Sequence, residues 1–389
     1  MNNYFDRQKR VLGEDVGDKI KKAKILIVGV GAGGNEVLKN LVLMGFGLLT
    51  IVDHDDIEDS NLSRTTLFKK SDIGKNKAIV ASYVLECMSL HEKPSIIGLD
   101  KKIEEIGKQI FLEHDIVISC VDSMDARGYI NDWCLRFNKP FFEMGFDKFV
   151  IQVSFFPNES PNDPCLREII GYGNDTGKRN SCSKLKVEDN KLSYIPTIQV
   201  SAAFAGAFIA TEIILFLSGE SSLKNKILQY SAKIHNLLLI DVKQNKSCFN
   251  HEKTEFQFHN TRLNPFDNTF RDLLNELKNK YGSDYYVMWD EEYIYSMMCE
   301  SCKKEIHIKR FKSEVYDHER WCDKCISNIS YTDRIKVSAE WVMNSEMNLH
   351  NINYAFFLDL KIIDYGIKEK DVIIFNDLYD NEKKIFVLI

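Results

Sequence analysis

Two sets of residues in this chain have the types and spacing to do chemistry. The run GVGAGG places Gly29, Gly31 and Gly34 in a G-x-G-x-x-G pattern directly after the apolar stretch Lys24 to Val28. Such glycines allow a tight turn and let backbone N–H groups come close to a phosphate. Asp53 follows the glycines by about 20 residues, the distance at which a carboxylate at a strand end can accept hydrogen bonds from ribose hydroxyls. The second set is Cys299-Glu-Ser-Cys302 and Cys322-Asp-Lys-Cys325, separated by 19 residues. Each C-x-x-C forms one knuckle, and two knuckles close a tetrahedral site. This predicts a structural zinc ribbon held by Cys299, Cys302, Cys322 and Cys325.

The elements around the glycines read as an α/β fold. KILIV (24–28) is a short β-branched strand, and a helix follows with Val37, Leu38, Leu41, Val42 and Met44 on its apolar side. LLTIV (48–52) is a second strand, Lys77 to Leu90 has helical spacing, and Asp115 to Cys120, Lys139 to Met144 and Phe149 to Phe155 are further strands. Strand, glycine turn, helix, strand opens a Rossmann-like doubly wound sheet with helices on both faces. From Pro157 to Pro196 turn residues dominate, which predicts a long surface crossover loop at about 157–196. Helical periodicity returns at Ile198 to Leu217. From about His251 aromatic and charged residues increase, so the expected organisation is a nucleotide domain over 1–250 and a small α+β module carrying the ribbon over 251–389. In that module Ile335 to Val342, Val372 to Phe375 and Lys384 to Ile389 read as regular elements, the last a strand.

Composition narrows the function classes. With 44% hydrophobic residues the chain can bury a core, and a formal charge of -6 argues against a nucleic-acid partner. The longest apolar stretch, Ile195 to Leu217, contains Gln199, Ser201, Thr211 and Glu212 with several alanines, which fits a buried core helix better than a membrane span. Ten cysteines without a secretory signal point to a reducing compartment, with the cytoplasm as the expected location. Cys87, Cys120 and Cys134 fall in expected helices or strands and read as core residues.

Further motifs give the glycine turn a specific context. DHDDIEDSNLSR resembles the D-x-D-x-(V/I)-x-x-S-N-L-x-R element of the ubiquitin-activating superfamily, which includes the ThiF, MoeB and HesA adenylyltransferases. DIGKNKA is similar to its D-I-G-x-x-K-A, FDRQ to its (Y/F)-x-R-Q, and IPTIQVSAAFAGAFIATEII to a later helix. VDSMDAR stands farther along in the same order. The resemblance implies a ThiF/MoeB-type domain that binds ATP and Mg2+ and adenylates a carboxylate. It implies that Gly29, Gly31, Gly34, Asp53 and Asp55 contact the nucleotide. Arg64 and Lys77 would supply positive charge, Asn61 a hydrogen bond to phosphate or substrate, and Asp122 a ligand for magnesium. Arg7 would reach the phosphates of a neighbouring subunit in a homodimer. One departure is Ala32, where many relatives carry glycine; some also carry alanine.

The resemblance also frames the remaining cysteines and the substrate. Many relatives hold a zinc between one C-x-x-C in the crossover loop and another after the last strand of the domain. Here those places read Cys165-Leu-Arg-Glu168 and Cys248-Phe-Asn-His251, so a second zinc would need Cys165 or Cys182 beside the C-x-x-H. Cys182, among Lys178, Arg179, Lys184 and Lys186, lies in the region where relatives keep a thioester- or persulfide-forming cysteine, although 14 residues before Pro196 it stands farther from the following helix than theirs; an ordinary loop cysteine is the alternative. The expected partner is a small ubiquitin-like or sulfur-carrier protein, with a ribosomally made peptide as the alternative. A non-catalytic modifier-binding subunit is a third reading.

Overall fold

The computed structural model describes residues 4–170, 198–245, 248, 251, 255–299, 302–311, 339–348, 358–365, 367, 370–380 and 383–389. It divides into two compact units, Met1–Ile106 with Ile110–Glu252, and Gly107–Gln109 with Lys253–Ile389.

The first unit begins with α1 (Asp6–Leu12), α2 (Glu14–Lys22), β1 (Lys24–Val28), α3 (Ala32–Leu43), β2 (Leu48–Val52), α4 (Lys77–Met88) and β3 (Ser95–Leu99). It continues through α5 (Gln109–Leu112), β4 (Ile116–Ser119), α6 (Met124–Arg136), β5 (Phe141–Asp147), β6 (Val150–Phe156), α7 (Arg167–Ile170), α8 (Gln199–Ser218), β7 (Lys226–Ser231) and β8 (Asn236–Asp241). The eight strands form one sheet in the order β3-β2-β1-β4-β5-β6-β7-β8. Strands β3, β2, β1, β4 and β5 run parallel, and β6 to β8 return antiparallel. Ile25, Leu26, Ile27 and Val28 of β1 are all buried, as expected where helices cover both faces of a parallel sheet. The chain leaves β1 toward β2 on one side and later enters β4 on the other. The carboxyl ends of β1 and β4 therefore flank the crevice where doubly wound sheets bind ligands.

Strand β3 and the pair β7–β8 did not stand out from the sequence pattern. SIIGL is short and half-exposed, and NLLLID runs apolar without alternation. On the sheet's other half, Phe142 stacks on Phe155 across β5 and β6 at 4.1 Å, with Phe216 of α8 edge-on to both. By length and composition α8 could cross a membrane, but it packs on α3, β5 and β6. Its polar groups are placed within the protein: Ser201 Oγ donates to Lys148 O (2.9 Å), and Glu212 accepts from Ser221 and from Leu223 N.

The second unit contains β9 (Glu255–Asn260), α9 (Phe270–Tyr281), β10 (Tyr285–Cys299), β11 (Glu305–Phe311), β12 (Ala339–Asn348), β13 (Val372–Asp377) and β14 (Lys383–Leu388). Strands β11-β10-β13-β14-β9 lie side by side, and β12 pairs with β10. Helix α9 carries Phe270, Leu273, Leu274 and Leu277 on one face, and these join Val287, Phe375 and Val387 in a separate core. Thr269 caps α9 by accepting from Asp272 N, and Gly282 ends it in the left-handed conformation. Among the described residues of 360–371, Ile362–Tyr365 form a 3-10 turn ahead of β13. Neither α9 nor β10 is among the elements expected from the sequence, although the apolar residues of α9 recur at helical spacing.

His114 ties the sheet to α5. Its Nδ1 donates to Ile110 O at 2.6 Å, and Nε2 accepts from Thr50 Oγ1 at 2.8 Å. Burial pushes the imidazole below its ordinary value, so the neutral ring is the folded form. Above about pH 6.5 the site is neutral in both folded and unfolded chains. As pH falls from there toward the depressed folded value, only the unfolded chain gains the proton, and stability is lost. Between about pH 7.5 and 5.5, urea unfolding should show the wild type losing about 1 kcal/mol more than His114→Gln. Equal losses would show that His114 is not titrating in the unfolded state alone.

Candidate functional site

The glycine turn fills the space between the ends of β1 and β4. Gly29 has φ +94°, and a Cβ there would lie 2.7 Å from Cys120 O. A Cβ at Gly34 would lie 2.1 Å from Gly29 O, so α3 can begin here only with glycine. Gly31, by contrast, faces open space. It precedes Ala32, the first residue of α3, and no side chain caps that helix. The first N–H groups of α3 thus point to where an anion could bind.

Asp53 is fixed against this turn. Its Oδ2 accepts from Val30 N at 2.6 Å and its Oδ1 from Asp55 N at 2.9 Å, leaving one lone pair on each oxygen for a ligand hydroxyl. Burial raises its carboxyl above the ordinary range, while the charge of Lys77 and the two N–H donors pull it back. Lys77 opens α4, and its Nζ pairs with Asp55 Oδ2 at 2.9 Å. The capping residue Asn76 donates to Asp53 O, which joins the start of α4 to the end of β2.

Asn61 is buried in the 3-10 turn Asp59–Asn61, where its Oδ1 accepts from Glu58 N at 3.0 Å. Its carbonyl accepts from Arg64 N, which leaves the half-buried Arg64 three residues on. Asn35, which the sequence pattern did not single out, connects this segment to the glycines. Its Nδ2 donates to Val30 O and Gly31 O, and its Oδ1 accepts from Leu67 N at 2.9 Å. Asx residues in a helix's first turn are common for local reasons, so only the long-range bond to Leu67 could have identified this role.

Asp122 is exposed on the turn after β4, beside Gly29 through the contact at Cys120. Arg7 is also exposed, but elsewhere. Phe5 packs on Gly45, and Gln8 Nε2 donates to Met44 O at 2.7 Å, so α1 is anchored at the far end of α3. That end lies about 18 Å along α3 from the glycine turn of the same chain. The structure therefore brings together the glycines, Asp53, Asp55, Lys77 and, through Asn35, the segment carrying Asn61 and Arg64, but not Arg7.

A second cluster lies in the same unit. Cys165, Glu168, Cys248 and His251 bring four donor atoms within 4.8 Å of one another. The two Sγ atoms are 4.0 Å apart, His251 Nε2 lies 2.8 Å from Glu168 Oε1, and Glu168 Oε2 accepts from Cys165 N at 2.7 Å. Burial works to raise the Glu168 carboxyl, but hydrogen bonds from His251 and Cys165 outweigh it and hold the group at about 2. Burial and the neighbouring Glu168 push the Cys165 thiol up. Two sulfurs, an imidazole and a carboxylate are a donor set that suits zinc. Glu168, read from sequence as a lost cysteine, is itself a donor.

Of the ribbon cysteines, Cys299 ends β10 and Cys302 lies in the following turn. Cys322 and Cys325 lie outside the described residues, as does Cys182. Cys134 is buried and Cys120 half-buried, but Cys87 is exposed on α4, contrary to its reading as a core residue. The helix pattern there is apolar on nearly all sides, and only the packing shows which face is left outside.

Comparison with known proteins matches the ThiF family to residues 5–250. SUMO-activating enzyme subunit 2 of Dictyostelium discoideum is 38% identical over 156 residues, covering 40% of this chain and 23% of that protein. Ubiquitin-activating enzyme E1 1 of Candida albicans is 35% identical over 159 residues, covering 37% of this chain and 15% of that one. The chain thus spans less than a quarter of the length of these relatives. Among solved structures, Escherichia coli MccB with MccA-N7isoASN superposes with a TM-score of 0.53 at 23% identity, covering 64% of this chain and 75% of that chain. MccB with ATP gives a TM-score of 0.51 at 22% identity, covering 64% and 74%. This likeness establishes a common fold.

Proposed function

We propose, from the premise that this chain belongs to the ThiF family, that it uses ATP to adenylate the terminal carboxylate of a small protein or peptide. A carboxylate oxygen of the substrate attacks the α-phosphorus, the bond to the β-phosphate oxygen breaks, and pyrophosphate leaves. The arrangement at the crevice supports this reading most. An uncapped helix N-terminus follows a turn in which Gly29 and Gly34 admit no side chain, with Lys77 paired to Asp55 on one flank and the exposed Asp122 on the other. The helix end and Lys77 would hold the phosphates, with Lys77 exchanging Asp55 for them, and Arg64 would add charge where it develops. Asp122 would hold magnesium, which neutralises the triphosphate.

The substrate is a ubiquitin-like or sulfur-carrier protein, passed onward through Cys182. The named relatives, which activate SUMO and ubiquitin, support this choice. A peptide substrate is the second reading, favoured by the fold shared with MccB, which was solved with MccA. The enzyme works in the cytoplasm as a homodimer and binds no nucleic acid. Two observations support the dimer. Arg7 is anchored away from its own glycine turn, and the edge strand β8 leaves Leu237, Leu238, Leu239 and Ile240 exposed. Zinc is bound at Cys299, Cys302, Cys322 and Cys325 as a ribbon, and at the cluster of Cys165, Glu168, Cys248 and His251 as a clip.

Adenylation is reversible, so the chain with its acceptor should exchange labelled pyrophosphate into ATP. Arg64→Ala or Lys77→Ala should lower that exchange by about 100- to 1,000-fold. Nucleotide binding without exchange would instead support the non-catalytic subunit. Cys182→Ala should keep exchange but lose a thiol-labile adduct if the acceptor is a carrier protein, and a peptide substrate leaves product formation intact. Arg7→Ala should be inactive alone and regain activity when mixed with Lys77→Ala, because one site per mixed dimer keeps both residues. No rescue despite proven subunit exchange would place Arg7 outside the partner's site. Metal analysis should find about two zinc ions per chain, one lost in Cys299→Ser and the other in Cys248→Ser. One zinc retained in Cys248→Ser and in wild type alike would leave the clip metal-free.

A further inference from the structure

The VDSMDAR segment carries Asp122, but Arg127 five residues on has no part in the site as described above. Its side chain is largely buried and bridges two elements. Nε donates to Val121 O at 2.9 Å, and Nη1 lies 2.8 Å from Glu143 Oε1 as an ionic contact. Glu143 sits on β5, directly opposite Ser119 of β4, and is almost wholly buried. Burial raises its carboxyl, and the Arg127 charge pulls it back. A buried pair of this kind adds little net stability over apolar residues of the same size, although removal of one partner is costly. Its contribution here is geometric.

The carbonyl that Arg127 holds is the one immediately before Asp122. On the other side of the same turn, Cys120 N donates to Val28 O at 2.7 Å, and Cys120 O lies against Gly29. Ser123 then caps α6, the helix that carries Arg127. The turn is therefore fixed at Cys120 by β1 and at Val121 by Arg127, and Asp122 is the first residue left exposed to solvent. We infer that Arg127, locked in place by Glu143, is a positioning residue that sets where Asp122 presents its carboxylate beside the glycine turn. Arg127 touches no substrate atom; it acts through the Val121 carbonyl. The inference rests on the reading of Asp122 as a magnesium ligand.

Arg127→Lys keeps the charge but cannot reach Val121 O and Glu143 together in the same fork. ATP binding to the full chain, measured by calorimetry with Mg2+ and again with EDTA, gives a readout that a purely structural role would not move. In the wild type Mg2+ should tighten ATP binding. Asp122→Asn and Arg127→Lys should each lose that tightening by about tenfold, and the double variant should be no weaker than either, because both changes remove one interaction. With EDTA all three should bind ATP as the wild type does. Glu143→Gln, which keeps the shape, should shift the Mg2+ dependence in the same direction and serves if Arg127→Lys does not fold. Losses that add in the double variant, or a wild-type Mg2+ dependence in both Arg127→Lys and Glu143→Gln, overturn the inference. If the wild type binds ATP but Asp122→Asn leaves its Mg2+ dependence unchanged, the role of Asp122 falls, and that of Arg127 with it. No ATP binding by the wild type overturns the nucleotide reading as a whole.

Discussion

At the end of β1 the chain has to reverse and start a helix in a space that admits no side chain. A Cβ at Gly34 would fall on Gly29 O, and one at Gly29 would fall on Cys120 O. Because the backbone packs this closely, the polar groups around it have few choices of partner. Val30 N is taken by Asp53, Val30 O by Asn35, and Val28 O by Cys120 N. Buried peptide groups that cost about 1–3 kcal/mol when unpaired enforce this connectivity. The ends of β2 and β4 and the segment reaching Leu67 are thereby fixed relative to one turn. The candidate site is largely the set of side chains that leave these anchored segments.

That arrangement also explains the mixture of buried and exposed charge. Asp53, Asn61 and Lys77 are buried and already hydrogen-bonded within the protein, whereas Asp122 and Arg7 are exposed. The buried members define the shape of the crevice before any ligand arrives, and little ordering remains for binding to impose. The exposed members lie on the turn after β4 and on α1.

The cluster of Cys165, Glu168, Cys248 and His251 solves a different constraint. It joins the segment after β6 to the segment after β8, 83 residues apart in sequence. Asn131 and the pair of Asp132 with Arg167 hold the first of these segments to α6. The described chain from Cys165 to Ile170 is therefore held at a fixed point on α6.

The sequence alone determined β1, β2, β4 and β5 of the parallel half of the sheet, because β-branched runs such as KILIV and LLTIV alternate with a glycine turn and helical spacing. It also singled out Asp53, Asn61, Arg64, Lys77 and Asp122 as candidate residues, since the motifs that carry them keep their order and spacing. It did not single out β3, β7 or β8, whose short or evenly apolar patterns acquire meaning only from the neighbours they pair with, nor α9, although its apolar residues recur at helical spacing. Nor could it show Asn35 reaching Leu67, Arg127 meeting Glu143, or Glu168 completing a donor set with His251. Each of these links residues far apart in the chain or on different elements. Local periodicity carries no information about such pairs, and only the packing of the folded chain brings them within hydrogen-bonding distance.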